Sequence, residues 1–213
     1  MWINDVDSRD YGIRVLSCPL VAAAQKNIKT IAIPGRSDLL TKWHGDYLAY
    51  EKTARLFYAG GNKTEAGNFL ASAKTVRWSN DENYLHDVVS VDFIKFDRWI
   101  REKSEFYFNV LVQPLKRLAT EEAIIGATVV LENAGNVPCK PRIEITATGT
   151  VTVNDITVTG VTGTLVIDNH LGLVYDGAGN AFNRMSGNLF EVATSLTILA
   201  NGVMTVYPQQ RWI

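Results

Sequence analysis

The sequence predicts a mainly β protein with one short helix, arranged as two domains, the second a small antiparallel β-sandwich. Three observations carry that expectation. Apolar and polar residues alternate with the two-residue period of strands through most of the 213 residues. A helical apolar period occurs at one place. Charge and charge density change together near residue 118. Residues 1–118 hold 17 basic and 14 acidic side chains and residues 119–213 hold 4 and 8, so a net of +3 gives way to −4 within a total of −1.

In the first half, Ile28-Lys29-Thr30-Ile31-Ala32-Ile33 reads as a strand stopped by Pro34-Gly35. Tyr47 to Tyr58, rich in aromatic and β-branched residues, predicts a second strand ending at Gly60-Gly61. Asn62 then offers an N-cap with Glu65 three residues on. Ala66, Phe69, Leu70 and Ala73 follow at helical spacing, predicting an amphipathic helix over 63–74 whose stripe buries against a sheet. Residues 75–78 resume strand chemistry, and 79–83 form a polar turn. A long strand is expected from Leu85 to Phe96, with Val89, Val91 and Phe93 on one face. Another runs from Ser104 to Gln113, with Phe106, Phe108, Val110 and Val112 alternating against Glu105, Tyr107 and Asn109. Pro114 ends it, because proline donates nothing to a ladder.

Domain boundaries are placed at 1–118 and 127–213, with 119–126 as the linker. Beyond the linker, Ile143, Ile145, Ala147, Val151 and Val153 share one parity while Glu144 and threonines take the other. That is a strand with one buried and one wet face. Threonine, β-branched and polar, suits the wet face, which accounts for the eight threonines between 146 and 164. Asn154-Asp155 turns the chain, and the parity flips at Ile156 and Val158. Short strands are expected over Leu165–Ile167, Leu171–Tyr175, Ser195–Ala200 and Val203–Tyr207. Asp176 to Gly179 is a turn signal, and Asn201-Gly202 is the strongest two-residue hairpin signal in the chain.

Composition excludes several classes. Two cysteines, Cys18 and Cys139, make no disulfide scaffold, and neither sits in a metal-ligating pair. The apolar run 19–24 is far shorter than the roughly 20 residues a membrane helix needs. The first residues are acidic and lack a signal-peptide pattern, so export is not expected. His44, His86 and His170 stand far apart, without metal-ligand spacing or a partner for general-base work. Asp5, Asp7 and Asp10 fail as a calcium loop, because Arg9, Asp10 and Leu16 occupy the remaining ligand and glycine positions. No nucleophile elbow, P-loop or dinucleotide fingerprint is present. Arg98 to Lys103 interleaves basic and aromatic residues, but Asp97, Glu102 and Glu105 neutralise it as a nucleic-acid patch. The reading is a non-enzyme with no catalytic residues, no metal site and no cofactor. Many strands with exposed edges point instead to assembly.

The order of motifs then carries a resemblance. Ile31-Ala32-Ile33-Pro34-Gly35-Arg36-Ser37-Asp38-Leu39-Leu40 looks like a strand followed by an Ile-Pro-Gly-Arg-x-Gly-x-Leu segment, and Gly45-Asp46-Tyr47 like an Asp-Gly-x-Tyr element. A short helix, a Thr-Val-Arg-Trp strand and the turn Asp81-Glu82-Asn83-Tyr84 follow, then the closing strand Phe106 to Pro114. Glu132 to Pro141 looks like an Asn-x-Gly-Asn-x-x-x-x-Pro entry, with Asp168, Tyr175 and Met185-Ser186-Gly187 placed after it. The set resembles the distal tail (Dit) proteins of long, flexible-tailed bacteriophages. Ser37-Asp38 and Gly45-Asp46 depart from the family's Asp-Gly dipeptides.

The resemblance implies an N-terminal split β-barrel-like ring domain and a C-terminal galectin-like sandwich. It implies a virion protein, made in the host cytoplasm, that forms a homo-hexameric ring at the distal end of the tail. Its partners would be the tail tube protein, a tail-associated lysin or tail hub protein, and receptor-binding or fibre proteins. Genomic DNA would only pass through the lumen, and no membrane insertion is implied. Pro34, Gly35, Arg36, Asp38 and Tyr47 are the candidate subunit-interface residues. A plain β-turn, with Arg36 paired locally to Asp38, is the other reading of that loop. A carbohydrate-binding adhesion module and another tail tube or completion ring protein remain as alternatives. The first is weakened because His170-Leu171-Gly172 does not resemble a galectin sugar motif.

Overall fold

The structure, a computed structural model, describes residues 1–34, 37–92, 95–96, 104–182 and 185–213. The chain divides into two compact units: residues 1–119 with Ile213, and residues 120–212.

The first unit runs β1 (Trp2–Ile3), β2 (Val6–Asp7), a 3-10 turn (Ser8–Tyr11), β3 (Ile13–Ser17), β4 (Lys26–Ala32), β5 (Leu39–Tyr47), β6 (Tyr50–Tyr58), α1 (Lys63–Ala71), β7 (Thr75–Arg77), β8 (Tyr84–Val91), β9 (Lys95–Phe96), β10 (Ser104–Val112) and β11 (Lys116–Leu118). At its centre β6 and β10 pair antiparallel without a break, from Ser104 opposite Tyr58 to Val112 opposite Tyr50. The sheet extends in the order β2-β1-β7-β8-β10-β6-β3 and curls into a half-barrel. Alternate residues of the central pair point into the curl. Ala54, Leu56, Tyr58, Phe106, Phe108, Val110 and Val112 are buried there with Ile3, Ile13, Val76 and Trp78. The alternation expected for β10 is the one observed.

Helix α1 closes one side of this core. Asn62 caps it: its side-chain oxygen accepts from the Thr64 and Glu65 amides at 3.1 and 3.4 Å, and its amide donates to Glu65 at 2.8 Å. Ala66, Phe69 and Leu70 are buried, and the Phe69 ring stacks on Tyr11 at 4.2 Å. The helix stops at Ala71, three residues short of the expected 74. The Ser72 hydroxyl and amide turn back onto the Phe69 and Asn68 carbonyls, and Ala73 reaches the core from the following turn.

Two strands differ from expectation. The strand expected over 47–58 is two strands, because the chain breaks at Leu48-Ala49 between β5 and β6. On β8, Val89 does not face the core with Val91; it is 49% exposed. Val91 pairs with Val110 and Val88 with Val112, while only Leu111 lies between those partners. The extra residue is a bulge, so Val88 and Val91 both turn inward and Val89 turns out. Phe93 lies outside the described residues.

The second unit runs β12 (Ile124–Glu132), β13 (Arg142–Val153), β14 (Ile156–Asp168), β15 (Leu173–Asp176), β16 (Met185–Ser186), β17 (Ser195–Tyr207) and β18 (Arg211–Trp212). The antiparallel order is β12-β17-β13-β14-β15, with β16 added to β14. Residues 124–126, expected in the linker, are the start of β12. Inward residues of these strands form one core that includes Ile143, Ile145, Val151, Val153, Ile156, Val158, Leu165, Ile167, Ile198, Met204 and Val206. The parity flip at Ile156 follows from the tight Asn154-Asp155 turn, with Asn154 at a φ of 47°. A second flip, to Val161 and Leu165, comes at Gly160. It lies in a bulge opposite Thr150, and its φ of +78° is one that glycine adopts without strain.

Asn201-Gly202 is not a hairpin turn. It lies inside β17, and neither residue has the positive φ that such a turn needs. β17 makes a wide bulge there, because Met204 pairs with Gly126 and Leu199 with Thr128. The Asn201 side chain takes over from the lost ladder, accepting from the Thr152 amide at 3.1 Å and donating to the Thr150 carbonyl at 2.9 Å.

Gly187 has a φ of +98°, and a Cβ added there would overlap the Asp155 carbonyl oxygen. Gly187→Ala is therefore expected to cost about 2 kcal/mol or more, since both strain and backbone overlap must be relieved. Asn62→Ala removes one cap and should cost about 1 kcal/mol. Urea unfolding of the two variants beside the parent checks both size and order.

Candidate functional site

Strands β4 and β5 form a two-stranded sheet that stands apart from the half-barrel. Every residue of β4 is exposed. An isolated hairpin is marginally stable in water, so a projecting arm of this kind points to a partner. Its ladder pairs Ile28 with Trp43, Thr30 with Thr41 and Ala32 with Leu39, which places these six on one face. These six are uncharged, with Lys26 over Trp43 at the base of the same face, and Ile28 is 48% and Leu39 61% exposed. The other face sets Lys29 directly opposite Lys42, beside the pair Ile31 and Leu40. Two like charges opposite one another weaken a hairpin slightly and favour an acidic neighbour.

The base of the arm is held locally. Trp43 Nε1 donates to the Asp46 carbonyl at 2.8 Å, and Asn27 Nδ2 to Asp46 Oδ2 at 2.6 Å. The Lys26 ammonium lies 4.4 Å above the Trp43 ring, and the Tyr47 ring meets Trp43 edge-on at 5.6 Å. Gly45, with a φ of +92°, lets β5 bulge so that these groups converge.

Of the five interface candidates, Pro34 and Asp38 are exposed at the free end of the arm. Gly35 and Arg36 lie outside the described residues, as does Arg98 to Lys103. Tyr47 sits at the opposite end, paired with Lys26. At about 3.3 Å per strand residue, it is separated from Asp38 by roughly 25–30 Å. Pro34 and Asp38 on one side and Tyr47 on the other therefore mark the two ends of one element rather than one contact patch.

Where the arm joins the half-barrel, the structure gathers residues that sequence reasoning left apart. Lys52 of β6 is 4% exposed and His86 of β8 is 1% exposed. Asp81 Oδ2 lies 3.5 Å from His86 Nε2 and 3.2 Å from Lys116 Nζ. Lys116 also lies 4.1 Å above the Tyr84 ring. The His86–Asp81 approach is too poorly aligned for a full hydrogen bond, and Nδ1 has no partner among the described residues. Burial and the Lys52 charge hold the His86 pKa down, from the ordinary 6.5 to about 4, against the pull of Asp81. Burial likewise pushes the Lys52 ammonium below its usual range. One signal was available in the sequence: Lys52 shares its parity with Ala54, Leu56 and Tyr58.

The other candidates have local roles. Asp7 accepts from the Arg9 amide at 2.9 Å, pairs with its guanidinium at 2.6 Å and so caps the 3-10 turn. Cys139 is a buried free thiol, and Cys18 is half-buried. His170 is exposed at a turn nucleated by Asp168, which accepts from the His170 and Leu171 amides at 2.9 Å. Among the described residues, no group of three His, Cys, Asp or Glu could hold a metal.

As pH falls through 6.5, an unfolded chain protonates His86 while the folded chain stays neutral until about pH 4. Stability is thus fully present above pH 6.5 and lost through that window, by about 3 kcal/mol for this group. Urea unfolding from pH 7.5 to 4 should show the slope, and His86→Gln should lack that share of it.

No protein-family model matches the chain, and neither does any curated protein sequence. Among solved structures, the Dit protein of phage SPP1 is similar over 100% of this chain and 98% of its own, with a TM-score of 0.73 and 13% sequence identity. That protein is described as a paradigm of the hub adsorption apparatus in phages that infect Gram-positive bacteria. The half-barrel with its single helix, followed by the antiparallel sheet unit, is accordingly the Dit fold, end to end.

Proposed function

We propose that this chain is a structural hub protein of a phage tail, assembling as a hexameric ring at the tail's distal end. The observation that carries the reading is the exposed arm on a chain that has the Dit fold over its whole length. A closed ring needs a heterologous contact, in which one patch of a subunit meets a different patch of the next. The arm suits such a contact: it projects a largely apolar face, whose one cation, Lys26, lies at the base over Trp43. In this reading Pro34, Gly35, Arg36 and Asp38 engage the neighbouring subunit at the arm's tip, and Tyr47 stiffens its base. The first unit forms the ring around a lumen for DNA. The second, galectin-like unit faces outward to bind receptor-binding, fibre or other baseplate proteins. The virion tail is its location, and its role is not catalytic.

Negative-stain electron microscopy of concentrated protein is expected to show six-fold rings with a central hole and peripheral lobes. Ile28→Asp combined with Leu39→Asp should abolish the rings. Both positions are exposed, so unfolding stability should change by less than about 0.5 kcal/mol. Particles that stay single at every concentration, with and without the tail tube protein, would overturn the reading.

A further inference from the structure

The arm's two roots are held in different ways. Its outgoing end runs almost directly into β6. Its incoming segment, residues 18–25, has no ladder and is tied down by side chains. Cys18 Sγ lies 3.1 Å from Ser79 Oγ, Asn80 Nδ2 donates to the Pro19 carbonyl at 2.9 Å, and Lys52 Nζ donates to the Leu20 carbonyl at 3.5 Å. Asn80 adjoins Asp81, and Lys52 and Asp81 both belong to the buried group around His86. The tether of the arm and the buried charges are therefore one structure.

We propose that Lys52, Asp81, His86 and Lys116 form an acid-released latch, which holds residues 18–21 against the half-barrel while His86 is neutral and frees them when it is protonated. With His86 neutral, Lys116 pairs with Asp81, and Lys52 feels the same carboxylate only from farther off. Protonation adds a third positive charge, and among the described residues Asp81 is the one carboxylate acting on His86. The charged groups acting on His86 are Lys52 from β6, Asp81 from the turn and Lys116 from β11, with Tyr50 near Asp81 and the Tyr84 ring under Lys116. Lys116 is pinned twice, by Asp81 at 3.2 Å and by the Tyr84 ring at 4.1 Å. Lys52 has the long bond to Leu20 and a Tyr50 ring at 5.6 Å. The repulsion is relieved most readily by Lys52 swinging outward, which gives up its hold on the arm's root.

The latch is a property of the single chain; only its consequence for assembly rests on the ring reading. The reporter is the Leu48 amide, which donates to the Gln25 carbonyl at 2.8 Å across the two roots. Hydrogen exchange of the full-length chain, dilute enough to be monomeric, is followed from pH 7.5 to pH 4 and corrected for the intrinsic pH dependence of exchange. Leu48 should lose about tenfold in protection on acidification while still exchanging faster than the β6–β10 amides, whose protection reports global unfolding and falls with overall stability over the same range. His86→Gln should remove the change, and Lys52→Met should lower Leu48 protection already at pH 7.5. Equal protection at both pH values in the parent, or an equal fall in His86→Gln, overturns the latch. Should His86→Gln not fold, full protection of Leu48 in Lys52→Met at pH 7.5 overturns it instead. If the latch opens as described and rings still form equally well at both pH values, the latch stands and the arm's role in assembly is what fails.

Discussion

The unbroken pairing of β6 with β10 is what the first unit depends on. It sets Ala54, Leu56 and Tyr58 on the same face as Phe106, Phe108, Val110 and Val112, and α1 closes over that face. A slip of one residue would turn every one of these side chains to water, so the register is tightly specified. The same register carries Lys52 inward, one more alternate position along β6. A lysine there has to find polar company, and β8, β11 and the turn before β8 supply His86, Lys116 and Asp81. The polar cluster is thus a consequence of the apolar ladder rather than a separate feature.

The sheets are shaped by residues that break their own regularity. The bulge at Val89 lets β8 follow the curl of the half-barrel, while bulges at Gly160 and at Asn201-Gly202 let the long strands of the second unit bend round one core. A strand of 13 residues such as β17 would run about 40 Å if straight, longer than a small unit can cover. Bending requires local loss of the ladder, and each loss needs replacement hydrogen bonds. Asn201 provides them with its side chain, which is why a sequence that looks like a turn works in mid-strand.

The arm stands in contrast to both cores. Its strands pair with each other, its faces are exposed, and among the described residues its apolar side chains join no core, the Trp43–Tyr47 contact at the base apart. In the proposed ring such an element would gain its stability from association, while the local cluster of Trp43, Asp46, Asn27 and Lys26 keeps its base in shape. A half-barrel with its own buried core and an arm without one fit the division of labour in the proposed ring subunit.

Local order was legible in the amino-acid sequence. The alternation in β10 and β13, the Asn62–Glu65 cap, the helical stripe and the Pro34-Gly35 stop between β4 and β5 all depend on residues near one another in the chain. Tertiary structure decided the rest. Whether Asn201-Gly202 turns or bulges depends on β12 and β13, whose residues lie far away in sequence. Val89 faces outward because β10 offers one residue fewer at that point. Lys52, Asp81, His86 and Lys116 span more than sixty positions, and no spacing rule joins them. Hydropathy periods report which face of an element is buried; they carry no information about which elements meet, because that follows from long-range register. The sequence by itself determined most elements and their faces, and the pairing of distant strands decided where the charges are buried and which apolar face is left exposed.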